Sequence, residues 1–213
     1  MNQPAQTQTL VIVTLIWAIG LVVSGWQPFE RMTWLMEVFP CFIVLAFLWW
    51  TRKTFPLTTL LYVLIAIHGL ILIYGGAYSY ARVPLGFWMQ DWFGFTRNNY
   101  DKIGHFAQGF IPAIAAREML VRNFRLAHHA EHQRLVPFLS VSICLAFSAF
   151  YELIEWGAAL AMGQGADEFL GTQGYIWDTQ SDMFYALIGA TVALMLLSRW
   201  HDTQMAALTS RTA

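Results

Sequence analysis

The sequence contains six long apolar stretches, each at or near the roughly 20 residues that an α-helix needs to cross a bilayer. Tryptophans flank most of these stretches, as they do at membrane–water interfaces. We therefore predict an all-α fold, an integral membrane helical bundle with six transmembrane helices in a single domain, 1–213. The predicted spans are about 10–26, 35–51, 57–75, 101–120, 135–162 and 178–198.

The composition excludes several other classes of protein. Hydrophobic residues make up 57% of the chain and charged residues 12%, against about 25% charged residues in a soluble domain. The net charge of -1 leaves no basic surplus for phosphates, so the bilayer is the expected partner and nucleic acid is not. Cys41 and Cys144 both lie inside apolar runs, which favours small buried side chains over a disulfide.

The basic residues predict the orientation of the chain. With the N-terminus inside, seven basic residues fall in cytoplasmic segments and four in outer loops, which is the asymmetry that the positive-inside rule requires. Both termini are therefore predicted to be cytoplasmic. The third loop, 74–102, is rich in Phe and Trp but has no run long enough to span. It is predicted to form an interfacial or re-entrant segment.

The last three predicted spans carry ionisable side chains, which cost a few kcal/mol or more at the bilayer centre unless they face protein or water. Each set falls on one helical stripe. The stripes are Asp101, His105, Gln108 and Pro112, then Ser148, Glu152 and Glu155, then Asp178, Asp182, Tyr185 and Gly189. At 1.5 Å per residue, the acidic and histidine side chains of the three stripes fall in one layer about 6 to 12 Å below the outer surface.

One imidazole among several carboxylates is a ligand set that suits Zn, Mn, Mg or ferrous Fe. The predicted metal ligands are His105, Glu155, Asp182, Asp101 and Asp178. Glu152 is predicted as a general base and Lys102 as a contact for an anionic headgroup.

Structural interpretations of the same residues stay open. Asp101 and Asp178 lie where helices begin and can act as caps. Glu152 and Glu155 can pair with Lys102 or His105, or can be protonated and hydrogen-bonded.

Two further histidine patterns are interpreted as structural and not as metal sites. His128, Glu131 and His132 spell H-x-x-E-H, an inverted zincin motif, but in a short basic connector. We expect solvated surface side chains there. His68 is expected to be a hydrogen-bonded interior residue of the third span.

The motifs Tyr100–Phe106, Tyr151–Trp156 and Asp178–Asp182 with Gly189 resemble the YjdF-type family of uncharacterised bacterial inner-membrane proteins. The resemblance implies a multi-pass protein of the bacterial inner membrane. The D-K-x-x-H, E-x-x-E and D-x-x-x-D motifs of the last three spans are also similar to VanZ-like membrane proteins. Neither resemblance implies a reaction.

Three functions are compatible with these patterns. The first is a metal-dependent enzyme that acts on a lipid or lipid-linked envelope intermediate. The second is a proton- or cation-coupled transporter, in which the same carboxylates exchange ions. The third is a non-catalytic membrane assembly subunit.

Overall fold

The computed structural model describes residues 3–124, 126, 134–162 and 172–209, and these form α-helices, a short 3₁₀ helix and loops. The prediction of an all-α fold is confirmed for this part of the chain. The helices are α1 (Gln3–Trp26), α2 (Arg31–Thr51), α3 (Thr59–Tyr78), α4 (Pro84–Phe93), α5 (Tyr100–Arg122), α6 (Leu135–Met162) and α7 (Asp178–Thr209), with the 3₁₀ helix at Tyr80–Arg82.

Five of these helices, α1, α2, α3, α6 and α7, are long and apolar enough to cross a membrane. They expose large apolar side chains such as Ile19, Phe39, Phe147 and Met195, which suits a surface in contact with acyl chains. The chain is therefore a multi-pass membrane protein. Helix α5 is not one of the five, because polar side chains along it, among them His105, Gln108, Arg117 and Glu118, lower its hydropathy.

Helix α5 lies inside the bundle, where it packs against α3, α6 and α7. Its contact with α7 is close because small residues face each other. A Cβ atom on Gly109 would lie 1.8 Å from the carbonyl oxygen of Ala186, and one on Gly189 would lie 2.1 Å from that of Phe106. Close approach through small residues is a usual way for helices to associate in membranes. The polar helix is thereby enclosed by apolar ones.

Side chains from two neighbouring helices cap the first turn of α3. Glu118 of α5 accepts hydrogen bonds from the backbone N–H and the hydroxyl of Thr58, at 3.1 and 2.7 Å. Gln204 Oε1 of α7 accepts one from the N–H of Leu60 at 2.9 Å. These contacts satisfy N–H groups that have no partner within the helix. They also fix the late part of α7 against α3.

Several helices extend beyond the predicted membrane spans. Helix α7 continues to residue 209, past the end of its predicted span at 198, and its added turns are held by Gln204 and by a buried His201. Helix α2 begins at Arg31, four residues before the prediction, because Glu30 caps it with its carboxylate. Helix α1 begins at Gln3. Helix α6 has the predicted bounds, 135–162.

The aromatic third loop contains the short helix α4. Its Phe87, Trp88, Trp92 and Phe93 side chains are about half exposed or more. The helix ends at Gly94, whose φ of 68° is the left-handed conformation that favours glycine. This exposed aromatic surface is what an interfacial segment would present.

Candidate functional site

Lys102, near the start of α5, is surrounded by three carboxylates. Its Nζ atom donates to Asp182 Oδ1 at 2.5 Å and to Asp178 Oδ1 at 3.0 Å, and Asp101 Oδ2 lies 3.5 Å away. Lys102 is 7% exposed. A buried ammonium of this kind depends on its acidic partners. Its ammonium joins the start of α5 to the start of α7, and its predicted contact with an anionic headgroup stays a prediction.

Arg97, in the loop before α5, is a second cation of this site. Its guanidinium donates to Asp178 Oδ1 at 2.6 Å and to the carbonyl oxygen of Thr172 at 2.7 Å. It also lies over the ring of Tyr175 at 4.5 Å. Asp178 therefore has two cationic partners. It lies in the first turn of α7, where a negative charge also suits the helix dipole.

His105 lies one turn after Asp101 on α5. Its Nε2 atom is 3.2 Å from Asp101 Oδ1 and 3.8 Å from Asp182 Oδ1. Its Nδ1 atom is 3.0 Å from Gln108 Oε1. In the tautomer with the proton on Nδ1, Gln108 Oε1 accepts a hydrogen bond from the Nδ1–H group and orients the ring. The Nε2 lone pair is then directed toward two carboxylates.

Asp101, His105 and Asp182 thus lie close enough together that they could hold one metal ion. One ligand atom from each residue lies within 4.8 Å of the others, and all three side chains are largely buried. Two carboxylates and an imidazole are ligands for the borderline divalent ions named above. Asp101 does not cap α5, since Asn99 occupies the cap position.

Glu152 of α6 approaches this group, and Ser148 lies one turn before Glu152 on the same helix. Glu152 Oε1 is 3.9 Å from His105 Nδ1. Glu152 Oε1 and Ser148 Oγ are buried and have no hydrogen-bond partner among the described residues, and the same is true of Asp101 Oδ2. Buried polar atoms without a partner cost free energy. Asp101 and Glu152 both lie beside His105, and two such atoms at one place are typical of a ligand-binding site.

A cavity of about 710 Å³ leads from this group to the surface of the bundle between α2 and α6. Asp101 and His105 form part of its wall. The rest of the wall is mostly apolar. Side chains about half exposed or more line its sides, namely Phe39, Ile43, Phe147, Phe150 and Ile154. The cavity therefore has an acidic inner end and an apolar mouth on the face expected to contact lipid.

Three other ionisable side chains line the same cavity. Glu155 lies on the α6 wall and outside the compact group of Asp101, His105 and Asp182. Its predicted role as a metal ligand stays a prediction. His68 of α3 faces the cavity. We expect a hydrogen bond for this side chain from the sequence, but it makes none with any described residue. Glu37 of α2 is the third.

The polar stripes on the last three predicted spans therefore do meet. Asp101, Lys102, His105, Glu152, Asp178 and Asp182 form one contiguous set. Sequence reasoning missed Arg97 and Glu37. A signal existed for Glu37, which is a lone ionisable residue in the second predicted span. No sequence signal pointed to Arg97, because it lies in an irregular loop, where side chains follow no periodic pattern.

A second buried polar cluster lies at the other end of α5 and was also missed. Glu118, with 0% exposure, is paired with Arg122 and with His201 of α7, whose Nε2 is 2.9 Å away. Thr58 also donates to it. Every Glu118 oxygen has partners, so this cluster holds α3, α5 and α7 together. The H-x-x-E-H motif, His128 to His132, lies outside the described residues.

Comparison with known proteins gives the family of the chain. The family described as "Predicted membrane protein (DUF2238)" matches residues 9–203. The chain belongs to this family. It is 51% identical over 205 residues to "Inner membrane protein YjdF" of Escherichia coli (strain K12), which covers 96% of this chain and 92% of that protein.

The resemblance to the YjdF-type family is thereby confirmed, and the more distant similarity to VanZ-like proteins stays a prediction. No solved structure matches the chain. The DUF2238 match spans α1 to α7 and includes every residue of both polar clusters described above.

Proposed function

We propose that this DUF2238 protein is a metal-dependent enzyme of the bacterial inner membrane that acts on a lipid or lipid-linked envelope intermediate. In this proposal α5 is the sixth transmembrane helix, shielded from lipid by its neighbours, and both termini are cytoplasmic. The cavity then opens in the outer half of the bilayer. Helix α4 lies at the outer interface.

One observation carries the proposal. The cavity joins an apolar mouth, open to the side of the bundle, to the group formed by Asp101, His105 and Asp182. An amphiphile that enters between α2 and α6 can keep its acyl chains in an apolar environment while its headgroup reaches these ligands. A water-soluble substrate would gain nothing from Phe147 and Ile154 at the entrance.

The proposed metal ligands are Asp101, His105 and Asp182, with Gln108 orienting the imidazole. A bound divalent ion would polarise a phosphoryl or carbonyl oxygen of the substrate. Glu152 is the proposed general base, because its Oε1 atom lies beside His105 and has no hydrogen-bond partner among the described residues. Lys102 and Arg97 offset the charge of Asp178 and hold it in place.

Metal content is the first test. Purified protein in detergent is loaded separately with Zn²⁺, Mn²⁺, Mg²⁺ or ferrous iron, desalted and analysed by mass spectrometry for bound metal. We expect about one ion per chain for one of these metals. The Asp182→Asn and His105→Gln variants should lose it. Asp202→Asn is the matched control on α7, because its carboxylate is 55% exposed and far from this set.

Lipid analysis is the second test. A strain that lacks the gene should accumulate a lipid substrate, and wild-type protein but not His105→Gln should restore the normal profile. The proposed metal centre would be contradicted if the Asp182→Asn and His105→Gln variants both kept the metal. It would also be contradicted if the wild-type protein bound none of the four ions. An unchanged lipid profile together with Glu152-dependent ion uptake into vesicles would favour the transporter.

A further inference from the structure

Glu37 is the acidic residue of the cavity that nothing described so far explains. It lies two turns into α2, on the wall opposite α6, and is 5% exposed. It makes no hydrogen bond or ion pair with any residue that the structure describes. A carboxylate buried without a partner in an apolar wall is costly. A side chain in this position is therefore expected to meet a charged or hydrogen-bonding ligand.

The charge balance of the region indicates the sign of that ligand. Six carboxylates surround the inner end of the cavity, namely Glu37, Asp101, Glu152, Glu155, Asp178 and Asp182. Among the described residues, Arg97 and Lys102 are the permanent cations that pair with them. A divalent ion at the proposed centre would offset two more negative charges. An excess of negative charge would still remain. Glu37, Glu152 and Glu155 neither pair with these cations nor belong to the proposed metal ligands, and Glu152 is already the proposed general base.

Glu37 and Glu155 line one cavity from two different helices, so a single ligand could contact both. They lie on α2 and α6, the two helices between which the cavity opens. They line the same cavity as Asp101 and His105, so a headgroup that contacts Asp101 and His105 lies in the space that both glutamates border. An anionic group there would be repelled, whereas an ammonium would gain charge-assisted hydrogen bonds from both walls.

We propose that the cavity binds a lipid whose headgroup carries a primary ammonium, held between Glu37 and Glu155. This inference deepens the proposed function, on which it rests, by naming the class of lipid. The ammonium is the recognised group, and the headgroup oxygens face Asp101 and His105. The acyl chains lie against Phe39, Phe147 and Ile154 at the mouth.

The experiment measures the binding of short-chain lipids to the purified full-length protein in detergent by calorimetry. We expect dihexanoyl phosphatidylethanolamine to bind at least about tenfold more tightly than dihexanoyl phosphatidylglycerol. The phosphatidylcholine analogue, whose ammonium donates no hydrogen bond, should also bind more weakly. Glycerophosphoethanolamine has the same headgroup without acyl chains and should bind at least about tenfold more weakly.

The Glu37→Gln variant should bind the ethanolamine and glycerol lipids with nearly equal affinity. Asp91→Asn, which removes an exposed carboxylate outside the cavity, should keep the wild-type preference. If Glu37→Gln does not fold, Glu155→Gln should lose the preference in the same way. Equal or tighter binding of the glycerol lipid by the wild type overturns the inference, and so does a preference that survives both glutamate substitutions.

Failure of this inference is distinguishable from failure of the proposed function. Metal content is measured without lipid and depends on Asp182 and His105. Headgroup preference is measured by calorimetry with short-chain lipids and depends on Glu37 and Glu155. A protein that binds metal but prefers the glycerol lipid overturns only the inference about the ammonium. A protein that prefers the ethanolamine lipid but binds no metal supports that inference and contradicts the metal centre.

Discussion

His201 Nε2 of α7 lies 2.9 Å from Glu118 Oε2 of α5, and both side chains have 0% exposure. Arg122 and Thr58 also donate to Glu118. This carboxylate is therefore the common acceptor for groups from two other elements and from its own helix. Its removal would leave several buried donors without a partner.

The first prediction is that Glu118→Ala lowers the free energy of unfolding by about 3 to 5 kcal/mol, because a buried pair loses one member. Chemical unfolding in detergent micelles measures the change. Asp202→Ala is the control, since its pair with Arg117 is exposed and contributes at most about 1 kcal/mol. Equal losses in the two variants would show that the Glu118 cluster does not fix α3, α5 and α7.

The second prediction concerns Lys102, which lies between Asp178 and Asp182. Lys102→Met should destabilise the protein by roughly 3 to 5 kcal/mol, because the two carboxylates lose their cation. The double variant Lys102→Met with Asp182→Asn should recover part of that loss. A double-mutant cycle of unfolding free energies gives the coupling. Strictly additive effects would contradict a direct interaction.

The third prediction tests the close contact of α5 and α7. Gly109→Ala should cost about 1 to 3 kcal/mol of stability, because its Cβ would meet the backbone of Ala186 and separate the helices. Gly157→Ala in α6 is the matched control, since nothing lies within 4 Å of its Cβ position. That variant should be stabilised by up to about 1 kcal/mol through helix propensity. Thermal unfolding of both variants distinguishes steric conflict from propensity, and a tolerated Gly109→Ala would contradict the close contact.

The fourth prediction is a pH dependence at the start of α2. The backbone N–H groups of Thr33 and Met32 donate to the Glu30 carboxylate and lower its pKa. Since the folded pKa lies below the unfolded value of about 4.3, the stabilisation is present above that value and is lost as the pH falls through the folded pKa. Glu30→Ala should cost about 1 kcal/mol at pH 7.

The measurement for Glu30 is the difference in unfolding free energy between wild type and Glu30→Gln across pH 3 to 7. We expect a constant difference above about pH 5 that shrinks below about pH 4. The change should be small, because Glu30 is only partly buried and solvent screens its charge. A difference that grows toward low pH would contradict the capping role.

Helical periodicity was enough to predict part of the candidate site. Spacings of four and three residues place Asp101 with His105, and Glu152 with Glu155, on single faces. Apolar surroundings force such faces inward, so the meeting of the three stripes followed from the cost of exposing charge to lipid. The length of the apolar run at 135–162 predicted the bounds of α6.

A periodic pattern within one helix does not predict which residues of other elements that helix contacts. The contact of Arg97 with Asp178 joins a loop to a helix 81 positions away, and nothing in the spacing connects them. The role of Gln204 in extending α7 depends on the N–H of Leu60, a backbone group that is the same in every sequence. Which carboxylate faces the cavity also depends on the rotation of α2 and α6, which packing decides.

The length of α7 has a consequence for access to the protein from the aqueous side. Its 32 residues measure about 48 Å, whereas the hydrocarbon core is about 30 Å thick. A tilt near 20° shortens the helix normal to the bilayer by only about 3 Å. About 15 Å of α7 therefore lies outside the hydrocarbon core. Ala206, which is exposed in the last turns, is the position at which a soluble reporter would detect this end of the helix in water.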